Sequence, residues 1–414
     1  MYAITRGIWL TAVVLTLVPR VQAADQPVSL KEACKDYFAV GTAVTRSMVS
    51  GGAAFRRSAE QNAKDIALIK EQFNQITPEN DLKWEIIHPR AAANGYDFGP
   101  ADAFVNFGLS NKMTLAGHTL VWHSQTPDWV FAGTNPPPPR ATNAAPVTGN
   151  TNTLGPGRFG RGGFGGGFGR YSGPRASPEE LLQRMRDHIH TVVGRYRGKI
   201  KVWDVVNEAL ADGAGTNLLR NSLWLEIVGP DFIAKAFQYA HEADPDAILR
   251  YNDYGLENAA KRTKLVALIR SLQAQKVPVH AIGSQAHLNV STTFEKMDES
   301  LAEIATLGLP IHITELDVNT AASGQRGFGA DIANNAGSTQ GGLVGNAQNK
   351  LTEAYAGIFR AFLKHRNSVK IVTFWGVNDA VSWRAQGKPL LFDGDNKPKP
   401  AFEAVIRVLS DPQK

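Results

Sequence analysis

Cysteine is nearly absent. Cys34 is the only one in 414 residues, which excludes an internal disulfide and a cysteine-built zinc site. A strong excess of charge of one sign is also missing. With 44 Lys+Arg against 38 Asp+Glu the net charge is +6, mild for this length and no argument for nucleic acid. No internal repeat, phosphate-binding loop, nucleophile elbow or metal-ligand spacing occurs, and no metal is expected. The apolar stretch Ile8–Val18 spans 11 residues, and a membrane-spanning helix needs about 20. The fractions that are present, 43% hydrophobic and 20% charged, exclude wholesale disorder and a fibrous chain. The length fits two or three average domains, or one barrel with long loops.

The N-terminal stretch reads as a targeting segment. Arg6 precedes the apolar run, and Pro19 and Val21-Gln22-Ala23 follow it, the order of a secretory signal peptide. Cleavage near Ala23 is expected, giving a signal peptide over 1–23 and one domain over 24–414. No cysteine stands beside that site to take a lipid anchor. The mature protein is therefore expected to be secreted or periplasmic, free of the membrane and monomeric. Cys34 is expected to be buried and inert.

Eight apolar, β-branched or aromatic segments recur, most ending in polar residues: 37–44, 73–80, 113–123, 200–208, 248–254, 281–288, 311–318 and 371–378. Helical periodicity fills the intervals, as over 179–196 and 263–275. Ser177, Pro178 and Glu180 predict an N-cap, a first-turn proline and a capping box. Strands alternating with helices pair in parallel through crossovers. Eight such units predict a single closed (β/α)₈ TIM barrel of the α/β class, with long βα-loop insertions after strands 3 and 7. The first insertion, 134–175, is rich in Gly and Pro and carries five Arg with no Asp or Glu. The second spans 321–345.

In such a barrel chemistry sits at the C-terminal ends of the strands. Glu79 and Asn80, His118 and His123, Asn207 and Glu208, Gln285 and His287, Glu315 and Asp317, and Trp375 and Asn378 fall there. They come from six strands, and none is needed to fill a barrel. A glycosidic bond is hydrolysed by two carboxyl groups, one protonating the leaving oxygen and one attacking or activating water. Glu208 and Glu315, ending the fourth and seventh strands, are the candidates. Asn207 can hydrogen-bond a sugar 2-hydroxyl. His287 can bond the second carboxylate and be oriented by Asp317, keeping the two acids in different protonation states.

The chain resembles the glycoside hydrolase family 10 endo-β-1,4-xylanases. The stretches ENDLKW (79–84), GHTLVWH (117–123), WDVVNEA (203–209), NDY (252–254), SQAHL (284–288), ITELDV (313–318), FWGVND (374–379), SW (382–383) and LLFDGDNKPKPAF (390–402) run in the family's order. The resemblance implies retaining hydrolysis of β-1,4-xylan without a cofactor, with xylan or xylo-oligosaccharide as the partner. It implies Glu208 as acid/base and Glu315 as nucleophile. Glu79, Asn80, Lys83, His118 and Trp122 would wall the non-reducing side. Asn207, Gln285 and His287 would surround the reacting ring, Trp375 and Trp383 would form floor and lid, and Tyr254 would meet the leaving-group sugar. Trp84 and Trp203 are expected in the core. Gly255 and Asp81-Leu82 depart from the family pattern without touching a reacting atom, and the 134–175 insertion bears on subsite number. The rival readings are a β-1,4-glucanase on the same plan, a non-catalytic carbohydrate-binding barrel, and a nucleic-acid-binding role for the Arg/Gly/Phe run. The plainest expectation for that run is a flexible solvated loop, and adhesion to acidic glucuronoxylan suits it better than nucleic acid does.

Overall fold

The β-branched and aromatic segments form the strands their composition favours, in a computed structural model that describes residues 28–53, 57–92, 94–133, 171–320 and 346–411. The expected signal peptide, residues 134–170 of the first insertion and the stretch 321–345 lie outside the described residues. Eight strands make the ring: β1 (Ala39–Val44), β2 (Gln75–Pro78), β3 (Thr114–Gly117), β4 (Val202–Asn207), β5 (Ile248–Asp253), β6 (Ala281–Ser284), β7 (Ile311–Asn319) and β8 (Val369–Phe374). Each runs parallel to its neighbours, and β8 pairs with both β7 and β1, closing the barrel.

The expected strands over 113–123 and 281–288 are each broken in two. After β3 the chain turns inward at His118, whose Nδ1 meets Asp204 Oδ2 at 3.0 Å, and Leu120 N–H bonds Asp204 O. Pairing then resumes at Val121–Trp122, with Trp122 beside Asn207 of β4. After β6, Ala286 adopts a left-handed φ of 57°, and His287–Asn289 rejoins β7 with His287 beside Asp317. Both breaks bring polar side chains to the barrel mouth that an unbroken strand would spread over two faces.

Helices occupy the gaps. Pro178–Arg195 begins at Ser177, whose hydroxyl accepts from Glu180 N–H. Only this half of the expected capping box forms, because the Glu180 carboxylate pairs with Arg184 one turn on. Arg184 in turn donates to the carbonyls of Trp129, Val130 and Ala132. Ala132 bridges to Arg175 in antiparallel pairing, so the first insertion leaves and returns at one narrow neck. The main apolar core lies between ring and helices and includes the fully buried Trp84, Trp203 and Trp224. Cys34 is buried there, and burial raises its thiol pKa far above the ordinary range. Ala116, Val202 and Ile371 form a separate small cluster with Ala39 against it. Inside the ring β4 and β5 place Asp204 opposite Arg250, a buried pair that also holds His118.

Candidate active site

Glu208 directly follows β4 and sits in the left-handed region at φ 58°, a conformation that costs energy for a non-glycine residue. Its neighbours impose it. Glu208 N–H donates to Asn252 O at 2.8 Å, and the next two amides, of Ala209 and Leu210, donate to the buried Tyr251 hydroxyl at 3.0 and 3.1 Å. The turn aims the carboxyl group into the barrel mouth. Oε2 accepts from Trp122 Nε1 at 2.9 Å and Oε1 accepts from Gln285 Nε2 at 3.0 Å.

Glu315 lies within β7, one strand-face from Asp317. Its Oε1 accepts from Asn252 Nδ2 at 2.9 Å, and its Oε2 stands 3.2 Å from His287 Nε2. The other ring nitrogen, Nδ1, stands 3.0 Å from Asp317 Oδ2. Burial opposes a charge on His287, but Asp317 and Glu315 outweigh it and push its pKa up to about 9. At neutral pH both ring nitrogens then donate. Asp317 also accepts from Trp383 Nε1 at 2.8 Å and from the buried Arg384 Nη1 at 2.6 Å. Burial favours its neutral form, yet Arg384 and His287 overcome this and hold the carboxyl below the usual range.

The two carboxylates are joined by a chain of amides. Asn207 Oδ1 accepts from Asn252 Nδ2 at 2.9 Å and from Gln285 Nε2 at 3.3 Å. Thr314 fixes the Asn252 amide by donating to its Oδ1 at 2.7 Å. Because the Asn207 oxygen is doubly occupied, its Nδ2 is the group presented to a ligand. Gln285 Oε1 is buried with no partner among the described residues, leaving an acceptor at the same place.

Lys83, Trp122, Trp375 and Trp383 lie around these carboxylates, whereas Tyr254 and Asn378 are held in other networks. Lys83 Nζ donates to Asn80 Oδ1 at 2.9 Å and Gln125 Oε1 at 2.8 Å, and stands 5.1 Å from the Trp122 ring. Burial lowers its pKa against the pull of the carboxylates of Glu79, Glu315, Glu208 and Glu85. Burial likewise raises the Glu79 pKa, with Lys83 opposing. The Trp375 ring lies edge-on to His118 at 5.3 Å and to His287 at 6.5 Å, and Trp383 lies 4.8 Å from His287. These rings frame the mouth. Tyr254 is more committed than its expected role suggests. It is buried, its hydroxyl donates to Asp212 and accepts from Arg220, and Lys261 Nζ stands 3.3 Å over its ring. Asn378 belongs to another network, donating to Asp65 and Asn396 at 2.8 and 2.6 Å, and is a structural cap.

Several members of the site are absent from the sequence reading: Asn252, which ties Asn207 to Glu315, Arg384 behind Asp317, Gln125 beside Lys83, and Asp204 behind His118. Asn252 lies in the NDY stretch and was visible there. Arg384 stood next to Trp383 without any signal of its own.

The family described as Glycosyl hydrolase family 10 matches residues 29–146 and 169–408. The break at 147–168 falls inside the Gly/Arg-rich insertion. A β-1,4-xylanase of Dictyoglomus thermophilum is 36% identical over 387 residues, 92% of this chain and 90% of that protein. Endo-1,4-β-xylanase A of a Caldicellulosiruptor species is 38% identical over 380 residues, 91% of this chain, which spans about half (47%) of that longer relative. A solved GH10 endoxylanase from a sugarcane soil metagenome superposes with a TM-score of 0.74 at 35% identity, covering 92% of this chain and 99% of that one. The closed barrel, the two linked carboxylates at its mouth and this match over nearly all the described residues agree: the chain belongs to glycosyl hydrolase family 10.

Proposed function

We propose that this glycoside hydrolase cuts internal β-1,4-xylosidic bonds of xylan with retention of configuration, Glu315 attacking the anomeric carbon and Glu208 serving first as acid and then as base. The unequal surroundings of the two carboxyl groups carry the assignment. Glu315 accepts from His287, a cation at neutral pH, and from Asn252. That environment suits an anionic nucleophile. Among the described residues the hydrogen bonds to the Glu208 carboxyl come from the neutral donors Trp122 and Gln285, and a carboxylic acid can accept both bonds while holding a proton.

In the first step Glu315 forms a glycosyl ester as the C–O bond to the departing xylan breaks and Glu208 gives that oxygen its proton. In the second, Glu208 takes a proton from water, which displaces Glu315 and restores the β configuration. Asn207 Nδ2 meets the 2-hydroxyl, where a hydrogen bond strengthens in the transition state. The Trp375 and Trp383 rings offer apolar faces to the pyranose, and Lys83 donates to ring hydroxyls.

Glu208→Ala tests the roles. It should spare aryl xylobiosides with good leaving groups far more than xylan, and equal losses would remove Glu208 from the acid role. Glu315→Ala should abolish both activities, with azide restoring turnover to an inverted product. Comparison of xylan with carboxymethylcellulose separates xylanase from glucanase. Residues 1–23 support export to the periplasm or medium, and an exported protein beginning at Ala24 is the expected result of N-terminal sequencing. A monomer is the expected result of light scattering.

A further inference from the structure

Arg220 makes no hydrogen bond to the Glu208 carboxyl group, yet its guanidinium connects the backbone of the acid to Tyr254 and Asp212. It lies on the returning arm of the loop after β4, where Leu219 bridges to Leu210 and Arg220 N–H donates to Ala209 O at 2.8 Å. Its Nε donates to the backbone carbonyl of Glu208 at 3.0 Å. At the other end Nη2 donates to the Tyr254 hydroxyl and pairs with Asp212 Oδ2 at 3.0 Å. Tyr254 O–H donates onward to Asp212 at 2.6 Å. Lys261 closes the cluster, 2.9 Å from Asp212 and 2.8 Å from the buried Asp253. Asp253 in turn accepts from Leu210 N–H, two residues beyond the acid.

The carbonyl of Glu208 is where its strained backbone can relax. A rotation of that peptide would swing the carboxyl group away from the departing oxygen. A planar guanidinium holds two acceptors in one fixed frame, which a flexible ammonium does not. We propose that Arg220 is a positioning residue that fastens the backbone of Glu208 to the Tyr254–Asp212 wall and so aims the acid at the leaving oxygen.

This rests on Glu208 being the acid, and it sets a distinct expectation. Displacement of about 1 Å can cost roughly 100-fold in rate, but only where protonation of the leaving group matters. Arg220→Met should therefore lower kcat/KM about 100-fold for aryl xylobiosides with basic leaving groups and for xylan. A dinitrophenyl xylobioside, which departs without protonation, should be cleaved at close to the wild-type kcat/KM. Tyr254→Phe, which cuts only the far end of the strut, should give a smaller loss with the same leaving-group dependence.

The experiment is kcat/KM across a series of aryl xylobiosides for the wild type, Arg220→Met, Arg220→Lys, Tyr254→Phe and Glu208→Ala. A loss that grows with leaving-group basicity in both Arg220→Met and Glu208→Ala supports the proposal. A uniform loss or no loss in Arg220→Met, beside a leaving-group-dependent loss in Glu208→Ala, overturns it and leaves the acid assignment standing. A uniform loss in Glu208→Ala overturns both. Should Arg220→Met not fold, Arg220→Lys decides, since it keeps the charge but not the two-acceptor span: a steepened series supports the proposal and a wild-type series overturns it.

Discussion

Replacing Asp317 by Asn should make the protein's stability lose a specific pH dependence. In the native state the pKa of His287 stands at about 9, against the ordinary 6.5, because Asp317 and Glu315 flank a fully enclosed ring. A folded-state pKa above the unfolded value adds stability that is fully present below about 6.5 and disappears as pH rises through about 9. At 1.36 kcal/mol per unit the linkage is on the order of 3 kcal/mol. Asp317→Asn removes the largest charge opposing desolvation of the ring, so this contribution should largely vanish. It also removes the Asp317 carboxylate that the buried Arg384 Nη1 meets at 2.6 Å, a loss of stability of the same sign at both pH values. Thermal unfolding of wild type and Asp317→Asn at pH 6 and pH 10 separates the two effects. The variant should melt lower at both, with a wider gap at pH 6. A gap of equal size at the two pH values would mean that His287 is not held charged, and the argument for an anionic Glu315 beside a cation would lose its support.

Asn252→Ala should lower kcat on xylan roughly 10- to 100-fold with little change in KM, because it unties Glu315 from Asn207 without removing either; an unchanged kcat would make the amide chain ornamental. Gly283→Ala should reach the same result indirectly. A Cβ there would lie 2.4 Å from Asn252 Oδ1, so the amide must move, at about 1–3 kcal/mol of stability, and loss of stability without loss of activity would contradict this route. The Cys34 thiol, buried and shifted upward by burial, should resist a thiol reagent in the native protein and react only after unfolding, as a colorimetric thiol count can show.

The strands were legible because their apolar runs end in residues no barrel interior requires. Glu208, Glu315, Asn207, His287 and Asp317 were legible for the same reason, together with the likeness carried by WDVVNEA and ITELDV. What escaped is pairwise. Asp204 and Arg250 each look misplaced in an apolar strand, and only the β4–β5 register shows that they neutralise one another. Asn252 becomes a bridge only because β5 lies next to β4 and its side chain reaches to β7. Arg220 and Arg384 sit in loops, where no periodicity reports direction. The Glu180 carboxylate had two satisfying partners in sequence, its own helix start and Arg184, and the full positive charge one turn away won. Asn378 stood among polar strand-end residues but serves the Asp65–Asn396 network instead.

The claim on which the account rests is that Glu315 becomes covalently bonded to the sugar. Incubation with a 2-deoxy-2-fluoro-xylobioside bearing a dinitrophenyl leaving group should slow the second step enough to trap the intermediate. Mass spectrometry of the digested protein should then find one fluoroxylobiosyl group, on Glu315. A label on another residue, or continued turnover of the natural substrate with α-configured product and no label, would contradict it.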